Sequence, residues 1–96
     1  MTDQNVSKNE NMVSKTIELN KLIIEASVFG LSEADIRIAD EFLQHREYAL
    51  CLDHLLQQLY EFDIKIDSNF YQLTHEMGKT LNLPKESFEY IRELIS

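Results

Sequence analysis

The sequence predicts an all-α protein, a compact bundle of about five short helices, on three observations. Two glycines and one proline in 96 residues leave few positions that force a turn, and few breakers mean long helical runs. Leu, Ile, Glu, Lys and Gln outnumber the Val and Thr and the turn-forming Gly, Asn and Asp on which small strand-rich domains depend. Apolar residues recur three and four apart through most of the chain, which gathers them on one side of a helix. A chain of this length holds one core, since domains typically run to roughly 100–150 residues.

Residues 1–12 are polar, rich in Asn and without periodicity, and are expected to form a disordered tail ahead of a single helical domain over 13–96. From about Ser14, the residues Ile17, Leu22, Ile23, Ala26 and Phe29 mark the inward face of a first helix, and Gly30 supplies a left-handed stop. Ser32, with Asp35 three residues on, forms a shortened capping box that opens a second helix to about His45. Ala34, Ile38, Ala39, Phe42 and Leu43 are its expected inner face, and Glu33, Arg37, Asp40, Glu41 and Gln44 its outer one.

The third helix, about Glu47 to Phe62, points Tyr48, Leu52, Leu55, Leu59 and Phe62 inward, with Cys51 and Leu56 flanking that stripe. It is the most apolar helix and is therefore expected at the centre. Its outer face carries Asp53, His54, Gln57 and Glu61, among which Leu50 is an exception that needs a cover. Asp63-Ile64-Lys65-Ile66-Asp67 reads as an extended connector that tucks two isoleucines into the core. Asp67 or Ser68 then caps a fourth helix with Phe70, Leu73, Thr74, Met77 and Leu81 inward and Gly78 on the same face, where another element can approach closely. Asn82 and Leu83 end it, Pro84 suits the first turn of a short fifth helix, and Phe88, Ile91 and Ile95 continue that helix inward.

The candidates for chemistry are few. No two of His45, His54 and His75 stand three or four residues apart, as a helical metal pair requires, and a single cysteine excludes a zinc site with two thiolates. Cys51 and His54 lie three apart, the one arrangement suggestive of a nucleophile and its base, but cysteine on an apolar stripe reads as core. His54 beside Asp53 reads as a solvated helix face. Isolated glycines exclude a phosphate loop. The expectation is a protein without catalytic, cofactor or metal site, with no membrane span and a cytoplasmic location.

The net charge is −8, and the stretch from Glu25 to Asp63 accounts for −7 of it, with nine acidic side chains against two basic ones. That balance disfavours phosphate backbones and favours a basic protein partner. The candidate contact residues are Glu33, Asp40, Glu41, Asp53 and Glu61, with Tyr90 as an aromatic anchor; Tyr60 is read as lining the core instead.

The stretch from Phe42 to Leu55 resembles the core motif of the MafI-like immunity proteins encoded beside polymorphic and contact-dependent growth-inhibition toxins. Glu47, Tyr48, Leu50, Leu52 and Leu55 match the motif, Cys51 stands for Ala, Asp53 for Glu, and Arg46 for the usual Gly. The resemblance extends through Leu59 to Ile66 and covers about half the chain. It implies an antitoxin that binds a cognate toxin domain one to one and blocks it without turnover. Many such toxins are basic ribonucleases, EndoU-type enzymes among them. It also implies that Leu50 packs internally, and the departure at Arg46 implies a differently closed turn. The rival reading is a small helical adaptor that binds a partner helix, which predicts a contiguous exposed patch of Ile36, Leu50 and Leu94.

Overall fold

The computed structural model describes the backbone of residues 3–96 and the side-chain surroundings of residues 12–96. It contains four α-helices, α1 (Asp3–Phe29), α2 (Glu33–Gln44), α3 (Tyr48–Glu61) and α4 (Ser68–Thr80), followed by two 3₁₀ segments, Lys85–Ser87 and Glu89–Leu94. The all-α expectation holds. The tail expected over residues 1–12 lies, in its first two residues, outside the described residues; from Asp3 the backbone is helical, ahead of the start expected near Ser14. That segment holds no Gly or Pro, so nothing in it stops a helix.

α3 is central, as its composition predicts: Cys51, Leu52, Leu55, Leu56 and Leu59 are fully buried, and α1, α2 and the second 3₁₀ segment pack around it. Leu19, Leu22, Ile23 and Ala26 come from α1, Ala39 and Leu43 from α2, Phe70 and Met77 from α4, and Phe88, Ile91 and Leu94 from the C-terminal segment. Several expected inner faces are rotated. Ile17 is 60% exposed and Leu19 takes its place. On α2 the buried positions are Asp35, Ala39 and Leu43, with Ile38 and Ala34 turned outward. Phe62 is 60% exposed, as the C-cap residue after the helix ends at Glu61. Leu50 is 49% exposed, not packed internally.

All four α-helices end in the same way. The residue after the C-cap takes a positive φ, and paired backbone bonds close back over the last turn: Leu31 N–H to Ala26 and Gly30 to Ser27, Glu47 to Phe42 and Arg46 to Leu43, Ile64 to Leu59 and Asp63 to Tyr60, Leu83 to Gly78 and Asn82 to Lys79. The positive-φ residues are Gly30 (119°), Arg46 (59°), Asp63 (51°) and Asn82 (58°). This is the Schellman arrangement, which satisfies the last carbonyls of a helix and sends the next residue back toward it. Only one of the four positions is glycine, which reconciles four sharp helix ends with so few glycines. Arg46 adopts the left-handed backbone that a Gly takes with least strain, so the α2–α3 turn is closed in the ordinary way and the expectation of a different closure fails.

Left-handed backbone costs an L-residue about 1–2 kcal/mol, partly offset by the ~0.4–1 kcal/mol of unfolded-chain entropy that a side chain removes. Arg46→Gly is therefore expected to stabilise the protein by about 0.5–1 kcal/mol, read as a higher urea midpoint at an unchanged slope. A lower midpoint would contradict this account of the turn.

Asp67 caps α4 through a 2.7 Å bond accepted from Phe70 N–H. The connector before it is extended as expected: Ile66 is buried and forms a parallel bridge to Ile95, donating to Leu94 O at 3.0 Å and accepting from Ser96 N–H at 3.1 Å. The expected fifth α-helix is instead 3₁₀. Its buried residues are Phe88, Ile91 and Leu94, a strict three-residue spacing. That repeat matches three residues per turn, whereas an α-helix would rotate every third residue off the face. The close approach expected at Gly78 is made by the Phe88 ring, which fills the place a Cβ would occupy.

Candidate functional site

The predicted contact residues divide between two places. Asp53, Glu61 and Tyr90 meet in a groove of about 560 Å³ between α3 and the C-terminal segment, together with Gln57, Gln58, Tyr60, Glu86 and Ser87. Three carboxylates and no basic side chain line it. Glu33 and Glu41 lie outside the groove, exposed on α2, where Glu41 stands beside the outward Ile38. Asp40 is half-buried, accepts a bond from Gln44 at 3.2 Å, and is near enough to Cys51 to act on its thiol.

The groove's aromatic wall is a pair. Tyr60 and Tyr90 stack edge to face at 5.2 Å, and Tyr60 donates to the Glu93 carboxylate at 3.1 Å. Tyr60 is exposed, not a core residue. Tyr90 is the more enclosed of the two. Its hydroxyl is buried without a hydrogen-bond partner among the described residues. Burial, then the charge of Asp53 and the neighbouring Tyr60, pushes its ionisation up to about 12. The bond to Glu93 similarly raises Tyr60. Both phenols therefore stay neutral at physiological pH and present an apolar, hydrogen-bonding edge between carboxylates. Asp53 is held by Gln57 at 3.0 Å, which fixes its position on the rim.

From the groove, Gln58 leads to a part-buried polar cluster around the buried Asp35 that no local sequence pattern indicates. Asp35 accepts from Gln58 Nε2 at 3.1 Å, from His54 Nε2 at 3.0 Å and from Ser32 Oγ at 3.1 Å, while the Ser32 hydroxyl caps α2 by accepting from Asp35 N–H. Burial raises the Asp35 carboxyl, but the three donors together outweigh it and hold the group below the ordinary carboxylate range. An ionised Asp35 fixes the His54 tautomer with the proton on Nε2. His54 is thus tied to Asp35, nineteen residues away, in place of the adjacent Asp53. Cys51 is fully buried, and burial first, then Asp40, pushes its thiol up to about 12. It stays a thiol, so the Cys51–His54 spacing yields no activated nucleophile.

The patch that would favour an adaptor does not form: Leu94 is buried and Ile36 packs against the core, leaving Leu50 exposed without either. Among the described residues no group of three His, Cys, Asp or Glu side chains is gathered as a metal would require, and no helix is long and apolar enough to cross a membrane. Compared with protein-family models, curated proteins and solved structures, the chain matches none.

Proposed function

We propose that this protein is an immunity protein, an antitoxin that neutralises a basic toxin nuclease, EndoU-type ribonucleases being one candidate class, by covering the toxin's cationic substrate cleft. The observation that carries the reading is the groove in which Asp53, Glu61 and Glu86 surround two neutral tyrosines with no base among its lining residues. A nucleic-acid cleft presents Lys and Arg spaced to meet phosphates. Fixed carboxylates can meet the same cations, and an acidic face speeds encounter through long-range attraction. Tyr60 and Tyr90 supply aromatic contact area with few rotamers to freeze. Glu33 and Glu41 on α2 add to the steering field and lie outside the groove. The resemblance across Phe42 to Leu55 supports the same reading, and one toxin domain bound per chain follows from it.

The test is growth of cells that express a candidate cognate toxin domain, sought as the C-terminal domain of any large secreted protein encoded next to this chain, with and without the chain. The wild type should restore growth. Asp53→Lys with Glu61→Lys, both at non-core positions, should keep the fold and weaken binding to the purified toxin domain roughly 10- to 100-fold, which is about 1.4–2.7 kcal/mol. The loss should be smaller at high salt, where the wild type also weakens. Failure of the wild type to rescue, or full binding by the charge-reversed variant, would remove the proposal.

A further inference from the structure

α1 carries two apolar faces, and only one of them is used within the chain. Leu19, Leu22, Ile23 and Ala26 enter the core, whereas Val13 (55% exposed), Ile17 (60%), Ile24 (56%) and Val28 (79%) remain open. At about 100° per residue those four fall within an arc of roughly 60°, on the side of the helix opposite the core residues. Val13 and Ile24, like Ile17 and Val28, are eleven residues apart, a repeat of close to three full turns that keeps the seam on one side of the helix. A contiguous apolar seam on the outside of a helix that is already packed marks an interaction surface.

The geometry points to a second copy of this chain as the occupant, docked through α1 against α1 in antiparallel orientation. The seam reads Val, Ile, Ile, Val and is symmetric about the bond between Asn20 and Lys21. An antiparallel two-fold axis at that point sets Val13 against Val28 of the second copy and Ile17 against Ile24, each pair occurring twice. That self-complementarity is what a two-fold interface requires, since the same patch must fit itself. The ends also match in shape. Beside Val13 lies a hollow of about 250 Å³ lined by Met12, Thr16, Ile17, Tyr48 and the Arg46 side chain, and Val28, the most exposed of the seam residues, arrives opposite it.

Charge permits the pairing here. Residues 12–29 hold two lysines, Lys15 and Lys21, against two glutamates, Glu18 and Glu25, and so carry no net charge in a protein of −8. This part of α1 is thus a surface on which two acidic copies meet without net repulsion, and the pairing leaves the groove between α3 and the C-terminal segment open. The polar pair Asn20 and Lys21 at the centre lowers affinity and fixes the register, as a single polar residue does in coiled coils. This inference does not rest on the antitoxin reading, and its experiment needs no toxin.

Sedimentation equilibrium of the full chain over a wide concentration range should show the mass rise from 11.3 kDa to twice that value. Ile17→Glu with Ile24→Glu should remain at the single-chain mass throughout, with an unchanged circular dichroism spectrum, because neither side chain is in the core. Orientation is read from two cysteine variants, Val13→Cys and Val28→Cys, oxidised with diamide. Mixed together they should form a disulfide-linked pair, while each alone should not, since like positions in an antiparallel pair stand about 22 Å apart along the axis and a disulfide spans less than ~7 Å between Cα atoms. A wild type that keeps the single-chain mass at every concentration overturns the proposal and leaves the seam to a different helix. A Val13→Cys protein that links to itself overturns it in favour of parallel pairing.

Discussion

Phe88→Ala is expected to lower stability by about 3–5 kcal/mol, or roughly 12–40 °C in Tm for a domain of this size. Phe88 is buried in the turn between the two 3₁₀ segments, edge to face with His75 at 5.2 Å and seated on Gly78. Together with the His75–Glu89 bond and Arg92 over the Tyr71 ring it pins the C-terminal segment to α4, and truncation leaves a cavity that a short segment without α-helical bonds cannot close. The partner residue makes the prediction sharper. In the wild type, Gly78→Ala should be destabilising by about 1–2 kcal/mol, because the new methyl overlaps the ring by more than the ~1 kcal/mol of helix propensity it gains. In the Phe88→Ala background the ring is gone, and the same change should stabilise by up to about 1 kcal/mol. A double-mutant cycle by urea unfolding reads the sign directly. If Gly78→Ala is equally harmful in both backgrounds, the Phe88 contact is not what keeps that position glycine.

The elements of this fold were legible wherever a local signal existed. Ser32 and Asp67 have the side-chain oxygen and the spacing of N-caps and serve as such. Gly30 ends α1 as its freedom at positive φ suggests. What could not be read locally is the rotation of each helix about its axis. Ile17 and Leu19 both fit a helical stripe, and only the position of α3 decides which one is buried. The C-terminal segment shows the same ambiguity. Phe88 and Ile91 can be continued by Ile95 at α-helical spacing or by Leu94 at 3₁₀ spacing, and the bridge from Ile66 to Ile95 selects the second.

The candidate site was partly legible for a related reason. Charge survives any rotation, so the excess of carboxylates between Glu25 and Asp63 is visible in the composition alone. The groove needs a partner element for α3, and that element arrives from the other end of the chain with Glu86, Tyr90 and Glu93. No pattern within α3 reveals that Tyr60 points at Glu93, thirty-three residues on. The acids of α2 looked equivalent to those of α3 in sequence, and they separate only because α2 does not border the groove.

Asp35 carries the second large effect. Asp35→Ala should cost about 2–4 kcal/mol at neutral pH, because it strands the half-buried donors of Gln58 and His54 and removes the acceptor of the exposed Ser32 hydroxyl. Gln58 and His54 lose their acceptor on α2, and the Ser32 hydroxyl loses the carboxylate that orients it as the cap of that helix. Part of the effect reaches the groove, since Gln58 is among its lining residues. The pH dependence follows from the sign of the Asp35 shift. Its carboxyl is held below the ordinary value in the folded protein, so the ionised form favours folding above the unfolded carboxyl value of about 3.9, and that contribution disappears as the pH falls through the lower folded value. The stability gap between wild type and Asp35→Ala should therefore be full at pH 6–7 and shrink below about pH 4. Thermal melts at pH 7 and pH 3 measure both gaps. Equal gaps at the two values would mean that Asp35 acts through its shape alone, with its charge contributing nothing.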